Sequence, residues 1–301
     1  MRCQMGKALV LIGAWILVLP TLSVADDIVA PGAELQKLAD GFSFTEGPAA
    51  DAAGNVYFTD QPNDRIMKWS TTGELTTFMQ PSGRSNGMYF DAEGNLWTCA
   101  DDKNQLWRIS PDKEVTVVVK DYQGKLLNGP NDLWIRPDGG IYFTDPFYKR
   151  PYWDRGPQEI DVQGIYYLSP DHKQLTLVVD DYQQPNGLIG TPDGKILYVA
   201  DIRGGRTYAF DVQPDGSLTN RRLFCELGSD GMTMDNHGNV YLTGKGVTVF
   251  DKTGKQIRHI AVPERWTANI CFGGPDKDTL FITASQGLYS LKMQVRCATA
   301  P

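Results

Sequence analysis

The sequence predicts an all-β fold, a six-bladed β-propeller of four-stranded antiparallel blades, and three observations carry that prediction. The first is a phrase, a turn closed by Gly and followed by a β-branched and aromatic run, that recurs six times along the chain. Its spacing is the second. The copies begin at Gly54, Gly94, Gly139, Gly194, Gly238 and Asp278, at intervals of 40 to 55 residues, close to the length of one four-stranded blade. Composition is the third: 301 residues with 31 Gly, 18 Pro and 11% aromatic side chains suit many short strands separated by turns. The same composition excludes one class of partner. With 29 basic against 36 acidic residues and a formal charge of -7, the chain lacks the basic footprint that a phosphate backbone requires, so nucleic acid is not expected.

Residues 1–25 read as a secretory signal peptide. Arg2 and Lys7 form a basic start, Ala8 to Leu19 is almost wholly apolar, and Ser23-Val24-Ala25 offers a small-x-small cleavage site. The apolar run falls short of the roughly 20 residues that a spanning helix needs. The expectation is therefore cleavage, an exported chain that is periplasmic or secreted, and no stable membrane insertion afterwards. Residues 26–301 then form a single propeller domain. Each phrase supplies one strand, and a second alternating strand follows it at Arg65 to Trp69, Gln105 to Ile109, Gly164 to Leu168, Arg206 to Phe210, Gly246 to Phe250 and Gly287 to Leu291. Outer strands follow at Leu75 to Met79, Val115 to Val119, Leu175 to Val179, Leu218 to Phe224 and Gln256 to Val262. The sixth blade lacks one. A strand-like stretch from Glu34 to Ala39 precedes the first blade, and placing it in blade six closes the ring and hides an open edge.

Eight residues before five of the phrases stand Glu46-Gly47, Asn86-Gly87, Asn131-Asp132, Asn186-Gly187 and Asp230-Gly231; in the sixth blade Asn269 stands nine before. Equivalent positions of a propeller are related by rotation about its channel, so these side chains are expected to converge on one end of it. Turn chemistry accounts for the four Gly, but not for a Glu at the head of the series. Two carboxylates in a narrow channel raise one another's pKa unless a cation neutralises them. Oxygen-only ligands suit a hard ion, Ca²⁺ first, with Mg²⁺ or Mn²⁺ as alternatives.

His172 and His237 lie in polar turns and His259 in an outer strand, so neither a His-rich zinc site nor a Ser-His-Asp triad assembles. Without His, a carboxylate must serve as acid or base. Cys99, Cys225, Cys271 and Cys297 remain after loss of the leader with Cys3; they form no CxxC pattern, and their pairing stays open between disulfides and buried thiols. The longest interval contains an insertion, Pro146 to Gly156. Its Tyr148, Tyr152 and Trp153 offer a wall for stacking a sugar-like ring, and Arg150 or Arg155 a partner for an acid product. A loop packing its own aromatics is the equally open alternative.

Several segments together resemble the SMP-30/gluconolactonase/luciferin-regenerating-enzyme-like family of six-bladed, metal-dependent lactonases, and its bacterial gluconolactonase branch in particular. The carriers are Phe44-Thr-Glu-Gly-Pro48, Asn128-Gly-Pro-Asn-Asp132, Phe143-Thr-Asp-Pro146 with Tyr148, Pro185-Asn-Gly-Leu188, Ser229-Asp-Gly-Met232 and Cys271-Phe-Gly-Gly274. The resemblance implies one divalent metal ion, with Ca²⁺ ahead of Mg²⁺, Mn²⁺ or Zn²⁺, held by Glu46, Asn186 and Asp230. Asn131 is implied as a further direct or water-mediated ligand, and Asp230 as the acid/base of hydrolysis. Two departures leave the substrate open: Gly129 stands where animal members carry an Arg, and Cys99-Ala-Asp101 stands where many bacterial relatives have Cys-Glu-His.

The expected function is metal-dependent hydrolysis of a small sugar-acid lactone of the gluconolactone type to its aldonic acid. Asp230 would take a proton from water, while Asn86, Asn131, Asp132 and Tyr148 orient water or substrate. Two readings compete: a metal-dependent phosphotriesterase using the same ring, and a non-catalytic calcium-stabilised propeller that binds a glycan or protein. Oligomeric state is not readable from the chain.

Overall fold

The computed structural model describes residues 28–150 and 156–298. The expected leader and the aromatic wall at Tyr152 and Trp153, with Arg155, lie outside the described residues. Within them the chain forms six four-stranded antiparallel sheets, five of them built in sequence order from the channel outwards and the sixth closed by an N-terminal strand. The inner strands are Thr45–Ala50, Ser85–Phe90, Leu133–Ile135, Pro185–Gly190, Met232–Met234 and Thr267–Gly273. The recurring phrases form the second strands, Val56–Asp60, Leu96–Ala100, Ile141–Asp145, Ile196–Asp201, Val240–Gly244 and Thr279–Ala284. Single turns of 3₁₀ helix, Gln61–Asn63 and Asp101–Lys103, follow the second strands of blades one and two.

Closure follows the expected route with a shorter strand. Gln36–Ala39, rather than the whole of Glu34 to Ala39, pairs antiparallel with Gly287–Lys292 in the register Gln36↔Ser290, so the N-terminal strand is the outermost of blade six. Other ends shift slightly: the outer strands of blades four and five run Leu218–Cys225 and Gln256–Ile260, and the third strands of blades four and six extend to Val212 and Lys292.

The phrase folds as it does because its parts have separate tasks. Its Gly takes a positive φ in the turn, 93° at Gly54, where a Cβ would also lie 2.2 Å from the Gly274 carbonyl oxygen of the neighbouring blade. Its aromatic and branched residues fill the space between blades. Phe58, Trp97, Tyr142, Phe143 and Tyr241 are fully buried, and each contributes on the order of 1.5–3 kcal/mol by leaving water. Its closing Asp holds the chain that leads into the inner strand. Asp60 accepts the backbone N–H of Ser43 at 2.9 Å, Asp145 those of Asn128 and Gly129 at 2.8 Å, and Asp201 those of Gln183 and Gln184 at 3.0 Å. These carboxylates are latches that fix where the inner strands of blades one, three and four begin, and the candidate site sits at the inner-strand beginnings. Cys99, Cys225 and Cys271 are buried on strands of this framework.

Candidate active site

Each inner strand starts at the same end of the channel. Glu46, Asn86 and Asn186 lie inside inner strands, whereas Asn131 and Asp230 come just before theirs. The pairing with the second strand breaks between Glu46 and Ala49, Ser85 and Met88, and Pro185 and Leu188. Such bulges turn a side chain out of the ladder. Here the residue at the break is the one the spacing selects.

The sixth position departs from the expectation. Asn269 does not stand level with Glu46. Its backbone N–H donates to Thr283 Oγ1 at 3.1 Å and its Oδ1 accepts the Ile270 N–H at 2.7 Å; Asp132 repeats both bonds, from its N–H to Thr144 Oγ1 and from the Leu133 N–H to its Oδ1. Asn269 therefore corresponds to Asp132, and Ala268 takes the sixth place beside the ring. The Ala268 carbonyl accepts Thr243 Oγ1 at 2.8 Å, just as the Asn186 carbonyl accepts Thr144 Oγ1 at 2.9 Å. The channel thus has two levels. Its upper ring is Glu46, Asn86, Asn131, Asn186 and Asp230; its floor is Asp132 and Asn269, from opposite blades, with Gly47, Gly87, Gly187 and Gly231 between them.

Those glycines have a reason other than turning. Only Gly47 among the four has a left-handed backbone, with φ at 41°. A Cβ on Gly87 would lie 2.4 Å from Asp132 Oδ1 and 2.6 Å from the Asn131 carbonyl oxygen, and one on Gly231 would lie 2.0 Å from Asn269 Oδ1. Gly87 and Gly231 are bare so that Asp132 and Asn269 can reach into the channel.

Glu46, Asn86, Asn131 and Asn186 are buried, while Asp230 is half-buried at the mouth. Asp230 is gripped at both oxygens. Asn186 Nδ2 donates to Oδ1 at 2.8 Å, and the Trp266 indole N–H donates to Oδ2 at 2.6 Å. Asn186 Nδ2 also donates to the Tyr148 hydroxyl oxygen at 2.8 Å. Because a carboxylate can only accept, the amide nitrogen of Asn186 must face Asp230, which aims Asn186 Oδ1 elsewhere. That oxygen is buried without a hydrogen-bond partner.

Electrostatics follow from this crowding. Burial, and then the charge of Asp230, push Glu46 well above the usual carboxylate range. Asp230 is raised as well by burial, against the Trp266 hydrogen bond, the Arg150 charge and the Asn186 hydrogen bond. Burial raises Asp132 to about 8. Two carboxylates and an unpartnered amide oxygen are the donor set of a hard cation. Among the described residues no three His, Cys, Asp or Glu side chains gather into a metal cluster, so a cation here depends on amide oxygens as well as on Glu46 and Asp230.

Above Asp230 a cleft of about 400 Å³ opens between Tyr148, Gln184, Ile202, Arg203 and Trp266. Tyr148 and Arg150 come from the described part of the insertion. The Arg150 guanidinium lies 4.9 Å from the centre of the Tyr148 ring, and its Nε donates to Asp101 Oδ2 at 3.0 Å. Gln61 Nε2 donates to the same oxygen at 2.9 Å. Beyond the floor, a smaller cavity of about 80 Å³ is lined mostly by apolar residues such as Met88, Leu133, Leu188, Met232 and Ile270.

The spacing argument brings Glu46, Asn86, Asn131, Asn186 and Asp230 to one level and Tyr148 above them; Asp132 stands one level lower. It missed Trp266, which lies in the link between blades five and six and has no counterpart in the repeat. It also missed the Asp101 partner of Arg150, 49 residues away in sequence.

Comparison with known proteins points the same way. A gluconolactonase of Zymomonas mobilis subsp. mobilis is 29% identical over 304 residues, an alignment covering 91% of this chain and 84% of that protein. A gluconolactonase structure from Xanthomonas campestris superposes with a TM-score of 0.82 at 31% identity, covering 88% of this chain and 91% of the other. A calcium-binding protein, regucalcin, from Agrobacterium tumefaciens str. C58 shares the fold, with a TM-score of 0.76 at 19% identity over 89% of this chain and 97% of the other. The profile of the SMP-30/gluconolactonase/LRE-like region matches residues 44–286, and the chain belongs to that family.

Proposed function

We infer that the protein is a lactonase that opens a sugar-acid lactone of the gluconolactone type to its aldonic acid. The observation that carries this reading is Asp230: a carboxylate at the channel mouth, fixed at both oxygens by Asn186 and Trp266, beside the buried Glu46. A base so oriented takes a proton from a water attacking the lactone carbonyl. It returns that proton to the ring oxygen as the carbon–oxygen bond breaks, which leaves one carboxyl and one hydroxyl on the product. General-base help of this kind is worth about 10² to 10⁴ in rate.

Glu46, Asn186 through its unpartnered Oδ1, Asp230 and Asn131 are the residues that would hold a divalent cation, with Ca²⁺ as the leading choice. When bound, that ion supplies a Lewis acid for the lactone carbonyl. A calcium-binding relative of the same fold supports the choice. Asn86, whose Nδ2 is buried without a partner, and Tyr148, which covers the ring, orient water and substrate. Asp132 and Asn269 close the channel beneath the reacting groups, so substrate approaches from the Trp266 side.

Export of the chain, to the periplasm or beyond, is part of the proposal and rests on the leader-like residues 1–25. No helix among the described residues is long and apolar enough to cross a membrane. The testing experiment is a pH-indicator screen of aldonolactones with EDTA and metal add-back. Turnover that disappears with EDTA and returns with Ca²⁺ supports the reading; a panel left wholly unhydrolysed with metal present overturns it. Fractionation with N-terminal sequencing of the mature chain tests export.

A further inference from the structure

The cleft over Asp230 carries a charge that the ring does not use. Among the described residues that line it, Asp230 is the one acid and Arg203 the one basic side chain besides the more distant groups of the mouth. Arg203 stands in the turn of blade four between the second strand, Ile196–Asp201, and the third, Arg206–Val212. Its backbone is held from three sides. Asp201 Oδ1 accepts the Gly204 N–H at 2.9 Å, the Ile202 N–H donates to the Gln184 carbonyl oxygen at 3.1 Å, and a Cβ on Gly228 would lie 2.8 Å from Ile202 Cα. The residue that this fixed turn carries is exposed, and among the described residues its guanidinium has neither a hydrogen bond nor an ion pair. Other arginines on this face are paired: Arg65 with Asp60 at 2.8 Å, and Arg150 with Asp101 at 3.0 Å.

Nearby positions repeat the sign. Lys245 fills the turn between Gly244 and Gly246 in blade five, where a Cβ on Gly244 would lie 3.7 Å from the Trp266 ring, and Arg265 directly precedes Trp266; both are exposed. Glu264, in the same link as Trp266, faces blade six instead, where it accepts the Tyr289 hydroxyl at 2.6 Å and lies 3.7 Å from Lys37. On a chain of formal charge -7 this side of the mouth is a local reversal, and a cleft of one sign concentrates ligands of the other. A neutral aldonolactone offers that charge no partner. We propose that Arg203 is the specificity-determining residue of the cleft and that the substrate class is an anionic sugar lactone. Asp230, half-buried, addresses the lactone carbonyl; Arg203, at the exposed side, binds a carboxylate or phosphate borne at the other end of the molecule. The guanidinium fork matches the paired oxygens of either group.

This inference rests on the lactonase reading and narrows it, and the test separates their failures. With Ca²⁺ present, kcat and KM are measured for two matched pairs of lactones. D-glucono-γ-lactone is set against D-glucaro-γ-lactone, which ends in a carboxylate, and D-glucono-δ-lactone against the same lactone phosphorylated on its terminal hydroxyl. The proteins are the wild type, Arg203→Met, Arg203→Lys and, as a charge control, Lys252→Met in the exposed turn between the third and outer strands of blade five, at the face away from the mouth. Binding of the two anionic products, D-glucarate and phosphorylated D-gluconate, is measured by calorimetry in each. The expected result is a wild-type preference for an anionic lactone over its neutral counterpart. In Arg203→Met that preference falls by about 5- to 30-fold, carried mainly by KM, the range of an exposed charge-assisted hydrogen bond. Affinity for the corresponding product falls in parallel, Arg203→Lys recovers part of the loss, and Lys252→Met keeps the wild-type values. The pair that responds more strongly shows whether carboxylate or phosphate is the group bound. A wild type with no anionic preference, or a preference unchanged in Arg203→Met, overturns the inference while turnover of the neutral lactones keeps the lactonase reading. An equal fall on both members of a pair, or the same fall in Lys252→Met, also overturns it, because those are the patterns of a disturbed site and of net charge alone. A wild type that hydrolyses none of the four lactones overturns both.

Discussion

The two levels of the channel are built from adjacent residues of the same repeated strand, yet they treat polar groups in opposite ways. At the floor, Asp132 and Asn269 each find a backbone N–H for their own Oδ1, and bare glycines make room for them. At the ring one level above, Asn186 Oδ1 and Asn86 Nδ2 are buried with no partner. A buried polar atom left unpaired costs about 1–3 kcal/mol, so the unpaired Asn186 Oδ1 and Asn86 Nδ2 support the proposed ligand-binding role of the ring, whereas the floor carboxamide and carboxyl are held by the chain itself.

The contrast breaks most sharply at Asp230. Asp230→Asn keeps the shape and loses the base, and kcat on an aldonolactone is expected to fall by about 10² to 10⁴ while the chain stays folded, at a cost of about 1–3 kcal/mol for the one hydrogen bond the amide nitrogen cannot accept. A mutant of undiminished turnover would move the base elsewhere. Next comes the response to metal. If Glu46 is a ligand, Ca²⁺ at a hundred times its dissociation constant stabilises the wild type by about 2.7 kcal/mol, and Glu46→Gln loses most of that shift in a calcium-dependent melt. The corresponding change at the floor should behave differently. Gly87→Ala drives a Cβ against Asp132 and the Asn131 backbone, so a loss of about 1–3 kcal/mol is expected in urea unfolding, present with and without Ca²⁺.

A further expected effect is a slope spread over several pH units. Burial raises Asp132 to about 8 in the folded chain, above its unfolded value near the ordinary 3.8, so folding favours its protonated form. Its contribution is complete below the unfolded pKa and is lost as pH rises through the folded one. Asp132→Asn cannot ionise. Its stability relative to wild type should therefore climb between pH 4 and pH 8, by at most about 1.4 kcal/mol per pH unit, in urea titrations with EDTA. A flat difference across that window would show that the floor carboxylate keeps its ordinary pKa.

What was legible from residues alone follows from the repeat. Strand positions such as Leu75–Met79 and Val115–Val119 emerge because binary pattern and turn chemistry agree in every blade. The ring positions emerge because rotation makes equal spacing into equal height. The spacing misplaces Asn269 because the first hairpin of blade six is longer by one pair, Gly273↔Thr279, so counting back from the phrase lands one level too low. Trp266 and the pairing of Arg150 with Asp101 escaped for a different reason. They sit on connections, which the rotation does not copy, and a contact across 49 residues leaves no local pattern.

The strand Gln36–Ala39 that completes blade six has a consequence for the order of events in synthesis. Trp266 and the floor residue Asn269 belong to the last part of the chain, and the sheet that carries Asn269 needs the first described strand for its outer edge. A nascent chain five blades long lacks the clamp on one oxygen of Asp230 and half of the floor. Its two ends must meet across nearly the whole sequence before any of this is complete, a contact of the most delayed kind. On the proposed reading, a partly made or end-trimmed chain lacks groups the reaction needs, and activity doubles as a report that the circle has shut.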